Sequence, residues 1–387
     1  MKVRIQRSPH GLDATWDTAF GARSFFSATP WLKHAYATAA TAPYYFMGHE
    51  DDDLLAALPA HPLEADVPYV FCRPDFVLGR RYDVPWAEEL MPALALGGRN
   101  PSHGKAAARD AGALRAVLEA AEERAREDGM RSVCFLYVDE DDEALRAALS
   151  GAGYTDLPFE TAYSLAVPSA AEGGFDAYRA RFGRETRRRI RRDLRALDTA
   201  GVTYRLEGLT DDLIDRIAPL ELNLYAKYGT PADADAFRRV LHSIATHTGD
   251  TVRVLTAELD GKLAGFVLFF THRGEMYARQ TGYDYTVKGE VPLYFGLLYY
   301  ELLQLAVSEG VTAIHYGTGS GNVKLSRGCV GRAQLAYVKA FDPVTADRVA
   351  ELTLAEYGAD IPGEPEGAGE PGGAAEPGEA READLPA

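Results

Sequence analysis

Residues 275–329 constrain the fold of this chain more than any other segment. A strand-like run (EMYARQTGYDY) leads into a helix rich in aromatic residues and leucine (LYFGLLYYELLQLAVSEG), and a short apolar strand (VTAIHYG) follows. That strand ends in a glycine-rich turn that carries one lysine, Lys324. Backbone N–H groups exposed by glycine bind oxygen atoms, and an ammonium adds a positive charge. The segment therefore predicts a strand–helix–strand unit whose last turn meets an anionic or carbonyl-bearing ligand.

The residues just before this segment predict antiparallel strands joined by tight turns. Two strand-like runs, residues 251–259 and 262–270, are separated by an Asp-Gly pair, which is the strongest short signal for a hairpin. An Arg-Gly pair at residues 273–274 predicts a second turn into the strand of residues 275–283. Helices are predicted ahead of the hairpin over residues 210–228 and 232–248.

The first half of the chain repeats this plan. A helix (ALRAVLEAAEERAREDG) precedes a buried-strand run (SVCFLYV), and an acidic segment then opens another helix (DEDDEALRAALSGAGY). In the second half, the strand VTAIHYG and the glycine turn are followed by a further strand over residues 334–341. The chain is therefore predicted to be an α/β protein with mixed sheets, built from tandem domains over residues 1–170 and 171–345.

Composition supports two folded domains. The chain has 387 residues, of which 47% are hydrophobic and 10% aromatic, enough for sizeable cores. It has no run of 18 apolar residues and no apolar leader, so we predict no membrane span and a cytoplasmic location. The three cysteines lack metal-ligand spacing, so we predict reduced core thiols and no metal site.

The acidic net charge of −16 is concentrated at the C-terminus. The last 28 residues contain eight acids and one arginine within Gly-, Pro- and Glu-rich sequence. Such sequence cannot bury enough apolar surface to order itself, so residues 358–387 are predicted to be a disordered tail. The remaining chain is still acidic, which weighs against a broad nucleic-acid-binding surface but allows a local basic patch.

Three pieces of the second half carry a resemblance to a known family. They are an arginine-rich helix (RFGRETRRRIRRDLRAL), the hairpin VRVLTAELDGKLAGFVLFF, and a glycine run made of Gly317, Gly319, Gly321, Lys324 and Gly328. In this order they resemble the acyltransferase domain of the Fem-like enzymes of the GNAT superfamily. The N-terminal segment FFSATPWLKHAY is similar to the opening Phe…Trp segment of the same family. The resemblance implies tandem GNAT-like domains and an amide-forming transferase that uses aminoacyl-tRNA.

Two positions depart from the family patterns. GNAT enzymes that use acetyl-CoA resemble one another in an R/Q-x-x-G-x-G/A loop whose backbone amides hold the pyrophosphate, but here Asp284 stands at the last small residue. Fem enzymes that act on peptidoglycan precursors tend to have a lysine one helical turn after the opening tryptophan. Ala35 stands there in this chain, and the nearest lysine is Lys33. These departures put acetyl-CoA and a nucleotide-linked cell-wall acceptor in doubt.

The resemblance and the residue chemistry together predict a site. Lys324 is the predicted catalytic residue, because a cation near the scissile ester would stabilise the oxyanion formed when an amine attacks; the alternative is a surface lysine beside a turn. The predicted substrate-binding residues are Tyr316, Gly317, Gly319, Gly321, Arg279, Tyr283 and Tyr294.

The arginine-rich helix has two interpretations. Ile190, Leu194 and Leu197 form its apolar stripe, and its arginines lie on the flanks and the solvent side. They are either a solvated face or a phosphate-binding patch for tRNA or a phosphorylated acceptor. The predicted phosphate-binding residues are Arg187, Arg188, Arg191 and Arg192.

The predicted function is N-acyl transfer to an amine, which could belong to a small molecule, a natural-product intermediate or a peptidoglycan-type peptide. The donor is expected to be aminoacyl-tRNA, with acyl-CoA as the alternative, and no cofactor is expected to stay bound. A non-catalytic binding module with the same fold is the second alternative. The sequence leaves open the acceptor, the general base and the oligomeric state.

Overall fold

The computed structural model describes residues 1–12, 14–64, 70–100, 103–227 and 233–358. The predicted disordered tail lies, from residue 359 on, outside these residues. The described chain divides into two compact units. The first contains Met1–Thr161 and the described residues from Arg332 on, and the second contains Ala162–Gly331.

The first unit is a mixed sheet with helices. Its elements are β1 (Lys2–Gln6), α1 (Ala14–Ala19), α2 (Thr29–Ala37), β2 (Tyr44–Glu50), β3 (Asp53–Leu63), α3 (Pro74–Tyr82), β4 (Ala93–Leu96), β5 (Ala107–Ala108), α4 (Ala111–Glu127), β6 (Ser132–Asp139), α5 (Glu143–Gly151) and the first part of β7 (Thr155–Ala166). Its strand order is β1-β2-β3-β4-β6, and β4 and β6 run parallel. The apolar stripe of α4, which includes Val117 and Leu118, packs against this sheet.

The second unit begins in the second part of β7. Its elements are α6 (Gly174–Ala180), α7 (Arg184–Thr199), β8 (Thr203–Gly208), α8 (Asp211–Lys227), α9 (Ala234–Thr248), β9 (Val252–Leu259), β10 (Lys262–His272), β11 (Glu275–Tyr283), α10 (Tyr285–Lys288), α11 (Leu293–Phe295), a π-helical turn (Gly296–Glu301), α12 (Leu302–Ser308), β12 (Ala313–Gly317) and α13 (Gly321–Ser326). Its strand order is β7-β12-β11-β10-β9-β8.

Both predicted hairpin turns form in the second unit. Asp260 and Gly261 have φ values of 49° and 72°, and Arg273 and Gly274 have φ values of 48° and 79°. Two successive residues of positive φ match the twist of the flanking strands, so they set a β9–β10–β11 meander in register. One face of this sheet packs against α7 and the helical segments between β11 and β12.

The predicted α/β fold with mixed sheets is confirmed. The long helix predicted after β11 forms as α11, the π-helical turn and α12. The strand predicted at residues 334–341 forms as β13 (Val330–Ala340) and precedes α14 (Pro343–Gly358). Its hydrogen bonds go to β6, with Gln334 opposite Asp139, so most of β13 belongs to the first unit rather than to the second.

Candidate functional site

Strands β11 and β12 stop pairing part-way along their length. They run parallel from Glu275 opposite Ala313 to Tyr277 opposite His315. Beyond this point β11 continues for six residues without a partner in β12. Strands that stop pairing leave N–H and C=O groups that must find other partners, so this part of the second unit can accept a ligand.

A β-bulge lies on β11 at the same level. Leu268 of β10 is opposite Gln280, whereas the next residue, Phe269, is opposite Ala278. Arg279 is therefore the extra residue of the bulge. Bulges occur often beside active sites, where they redirect a side chain. The predicted substrate-binding residue Arg279 thus lies in the part of β11 that has no partner in β12.

The glycine turn after β12 folds tightly and leads into α13. Gly317 and Gly319 have φ values of 66° and 76°, a conformation that residues with a Cβ rarely adopt. A Cβ on Gly321 would lie 2.2 Å from the hydroxyl oxygen of Tyr163, so a larger residue there would require the Tyr163 side chain to move. The three predicted glycines therefore shape one compact turn.

Lys324 lies on α13 and is buried. Its Nζ donates to the carbonyl oxygens of Tyr316 at 3.0 Å and Gly317 at 3.3 Å, and also to that of Thr318. An ammonium has three N–H donors, so these three carbonyls engage all of them. The structure thus gives Lys324 a positioning role at the end of β12, and its catalytic role stays a prediction.

The predicted tyrosines lie in one aromatic cluster of the second unit. Tyr316 stacks on Tyr299 with ring centroids 5.1 Å apart and donates its hydroxyl to the carbonyl of Leu298 at 2.7 Å. Tyr294 lies between Tyr299 and Tyr283, with centroid distances of 5.8 and 6.4 Å. Burial raises the pKa of Tyr283 and Tyr316 well above 10, so both phenols stay neutral. The cluster is therefore buried and supplies no phenolate.

Cys329 follows α13 and is not an activated nucleophile. It is buried, and burial raises the pKa of its thiol to about 12, although Lys324 acts in the opposite direction. A thiolate attacks acyl groups far better than a thiol does. Cys329 is therefore unsuited to act as a nucleophile.

All four arginines predicted to bind phosphate are exposed on α7. Of the four, only Arg192 approaches a carboxylate of the described chain within 4.0 Å, with its Nη2 3.8 Å from Asp193 Oδ1. The exposed arginines of α7 are Arg184, Arg187, Arg188, Arg189, Arg191, Arg192 and Arg195. A set of this size with so little local neutralisation is a strongly positive surface.

A buried ion pair connects α7 to the residues after the glycine turn, and sequence reasoning missed it. Asp193 Oδ2 accepts from Arg327 Nη2 at 3.3 Å and from the hydroxyl of Tyr300 at 2.8 Å. The Arg327 guanidinium also lies 3.9 Å from the ring centroid of Phe295. The signal in the sequence was an acid placed three residues after Ile190, within the apolar stripe of an arginine-rich helix.

Asp284 caps the helix that follows β11. Its Oδ1 accepts from the backbone N–H groups of Thr286 at 2.9 Å and Val287 at 3.0 Å, and also from the Thr286 hydroxyl. The hydroxyl bond and these N–H bonds hold the pKa of Asp284 below its ordinary value. A carboxylate of the chain itself therefore takes the N–H groups that an anion would need at this helix start.

One known family matches the part of the chain that carries this arrangement. The profile of the FemAB-like family, described as peptidoglycan biosynthesis/recognition, matches residues 95–358. The chain belongs to the FemAB-like family. The residues matched by the FemAB-like profile include β11, β12, the glycine turn and α7.

Solved structures share the fold of this FemAB-like protein at low identity. The crystal structure of FemX has a TM-score of 0.61 and 11% identity and covers 90% of this chain and 100% of that chain. L-PGS from Bacillus licheniformis has a TM-score of 0.55 and 12% identity and covers 90% and 98%. A tandem GNAT protein from the clavulanic acid biosynthesis pathway has a TM-score of 0.51 and 14% identity and covers 88% and 99%, which confirms the predicted tandem GNAT-like fold. A search of curated protein sequences gives no significant match.

Membership of the FemAB-like family favours acyl transfer as the general class of reaction. Helices able to cross a membrane, judged by length and apolar character, do not occur in the described part of the chain.

Proposed function

We propose that this FemAB-like protein is an N-acyltransferase that moves an aminoacyl group from aminoacyl-tRNA to an amine. Membership of the family supports acyl transfer, and the part of β11 that does not pair with β12 would supply a place for the reacting groups. The amine nitrogen attacks the ester carbonyl, and the C–N bond forms as the ester C–O bond breaks. The released ribose hydroxyl takes up the proton that the amine loses.

The turn after β12 would stabilise the charge that develops during this step. Positioned N–H donors and cations lower the energy of the oxyanion, and this stabilisation is commonly the main source of rate acceleration in acyl transfer. Lys324 fixes the carbonyls of this turn, so it either orients the neighbouring N–H groups or turns one of its own N–H donors towards the oxyanion. The aromatic cluster of Tyr283, Tyr294 and Tyr316 would receive the acyl side chain.

The Asp284 cap is the observation that favours aminoacyl-tRNA over acyl-CoA as the donor. Acyl-CoA enzymes of this fold hold the pyrophosphate on backbone amides at the start of the helix after this strand, and Asp284 occupies those amides here. A carboxylate at this point repels a pyrophosphate. The exposed arginines of α7 offer phosphates a different surface, which the Asp193–Arg327 pair connects to the glycine turn. An RNA donor with a phosphate backbone fits this arrangement better than CoA does.

The test measures donor affinity at several salt concentrations. Each neutralised phosphate releases counterions, so the affinity for aminoacyl-tRNA should fall steeply with salt. The charge reversal R188E/R192E should lower the magnitude of the slope of log K against log salt by about 0.7–0.9 for each phosphate that the protein no longer neutralises. The matched control R109E/R115E changes the net charge equally on exposed arginines of the first unit, and it should leave the slope unchanged.

Amide formation with aminoacyl-tRNA and with acyl-CoA should be assayed in parallel. Turnover on acyl-CoA with no salt dependence would overturn the aminoacyl-tRNA proposal. If the salt dependence is steep and R188E/R192E leaves its slope unchanged, the RNA binds to another surface of the protein. If neither donor gives an amide product although the protein still binds its ligand, the result would favour a non-catalytic binding module.

The acceptor is proposed only as an amine. Ala35 is buried where peptidoglycan-directed relatives tend to have a lysine, and its carbonyl accepts from Arg99 Nη2 at 3.0 Å. Small-molecule, natural-product and peptidoglycan-type amines should therefore be compared as acceptors in the same assay.

The cytoplasmic location of the protein stays a prediction.

A further inference from the structure

A buried carboxyl group faces a buried carboxamide beside the bulge in β11. Glu221, on α8, is 0% exposed, and Gln280, on β11, is 3% exposed. Gln280 Nε2 lies 3.5 Å from Glu221 Oε1. The other oxygen of each group, Glu221 Oε2 and Gln280 Oε1, has no hydrogen-bond partner among the described residues. Buried polar atoms are nearly always bonded, so two orphan oxygens on facing side chains need an explanation.

The close approach of α8 to β11 explains why this pair is buried. A Cβ on Gly282 would lie 2.5 Å from the backbone nitrogen of Glu221 and 2.6 Å from a ring carbon of Phe266. The absence of a side chain at Gly282 therefore lets the helix backbone rest directly on the strand. Glu221 is carried into the interior as a consequence of this contact.

The charges around Glu221 do not compensate for its burial. Burial raises the pKa of Glu221 well above the usual value of 4.5, and smaller effects of the Arg279 charge and the Gln280 amide act in the opposite direction. Among the described residues, Arg279 on β11 is the charged residue that lowers the pKa of Glu221. A carboxylate buried without sufficient compensation is far less stable than the neutral acid.

We propose that Glu221 is a neutral carboxylic acid in the folded protein and that its O–H donates to Gln280 Oε1 while Gln280 Nε2 donates to Glu221 Oε1. This acid–amide pair gives both orphan oxygens a partner. Because Gln280 directly follows the bulge residue Arg279, the pair fixes the bulged part of β11 against α8. Glu221 is a positioning residue, and the inference goes beyond the proposed function because it holds for any donor or acceptor.

Infrared spectroscopy of the full-length protein tests directly whether the Glu221 carboxyl group is protonated. At neutral pH the wild type should show a C=O band of a protonated carboxyl group. The band should disappear in Glu221→Gln, whose amide can make the same two hydrogen bonds, and should remain in Glu123→Gln, which changes an exposed glutamate of α4. Absence of the band from the wild type, or its survival in Glu221→Gln, would overturn the proposal.

The variant Gln280→Met tests whether the side chain of Gln280 accepts the hydrogen bond from the Glu221 carboxyl group. Loss of the amide acceptor should shift the carboxyl band to higher frequency, which a merely structural role of Gln280 would not do. An unchanged band would show that the proton is bonded elsewhere. Neither result requires enzymatic activity, so the failure of this inference can be distinguished from the failure of the proposed function.

The pH dependence of stability gives an independent readout. A folded pKa above the unfolded value means that the folded state binds one more proton over that range, so stability is full below the usual pKa of glutamate and falls as pH rises towards the folded pKa. Glu221→Gln should remove this one-proton component, whereas Glu123→Gln should retain it. If the free energy of unfolding changes with pH in the same way in the wild type and in Glu221→Gln, the proposal is contradicted.

Discussion

The ion pair between Asp193 and Arg327 supports a quantitative prediction, because both partners are buried. Their side chains are 7% and 2% exposed, and their atoms are 3.3 Å apart. Asp193→Ala leaves the Arg327 guanidinium buried without this carboxylate and removes the acceptor of the Tyr300 hydroxyl. The variant therefore tests whether α7 is held on the second unit by charge.

The expected loss follows from the cost of an uncompensated buried charge. Removing one partner of a buried pair typically destabilises a protein by about 3–5 kcal/mol. The contact of Arg327 with the ring of Phe295 remains in the variant and offsets part of this cost, so we expect the lower end, about 3 kcal/mol. For a unit of this size each kcal/mol changes the melting temperature by about 2–4 °C, which gives a decrease of about 6–12 °C.

The assay is thermal and denaturant unfolding of the wild type, Asp193→Ala, Arg327→Met and the double variant. The double variant should be destabilised less than the sum of the two single variants, because it leaves neither charge of the pair buried alone, and the cycle gives the coupling between the two residues. Arg192→Ala is the control, since its side chain is 76% exposed and its contact with Asp193 should contribute less than about 1 kcal/mol. If Asp193→Ala costs no more than Arg192→Ala, the buried pair does not hold α7 in place.

Three further changes have defined outcomes. Lys324→Ala should lower kcat by about 100- to 1,000-fold with a smaller effect on KM, since the turn loses its positioning cation, and near-normal turnover would show that Lys324 does not contribute to the reaction. Gly282→Ala should destabilise the protein by about 1–3 kcal/mol in denaturant unfolding, because its Cβ meets the backbone of α8, and an unchanged midpoint would show that α8 can move away. The hydrogen bond from His315 lowers the pKa of Glu275, so the stability that this carboxylate contributes is present above the usual pKa of glutamate and is lost as pH falls through the lowered value. The stability difference between the wild type and Glu275→Gln should therefore narrow in acid, and a constant difference would contradict that assignment.

The sequence by itself determined the local elements of this protein. An Asp-Gly pair adopts positive φ at little cost, so it fixed the β9–β10 hairpin without help from distant residues. Apolar spacing likewise identified α7 and its exposed arginines, and the repeated helix–strand order predicted two α/β units. The glycines of the turn after β12 could be recognised because few other residues adopt their backbone conformation.

Tertiary structure alone decided the contacts between distant residues. The pairing of β13 with β6 joins residues about 200 positions apart, such as Ala340 and Ser132, and the local pattern of a strand does not identify its partner. The sequence predicted Lys324 as a catalytic cation, with a surface lysine as the alternative, but the path of the chain buries it and directs its N–H donors to the carbonyls at the end of β12. Asp193 and Glu221 each appear in sequence as one polar residue on a helix, and both are buried. Whether a buried carboxyl group meets a guanidinium, as that of Asp193 does, or a neutral amide, as that of Glu221 does, depends on packing between elements, which the periodicity of the sequence does not encode.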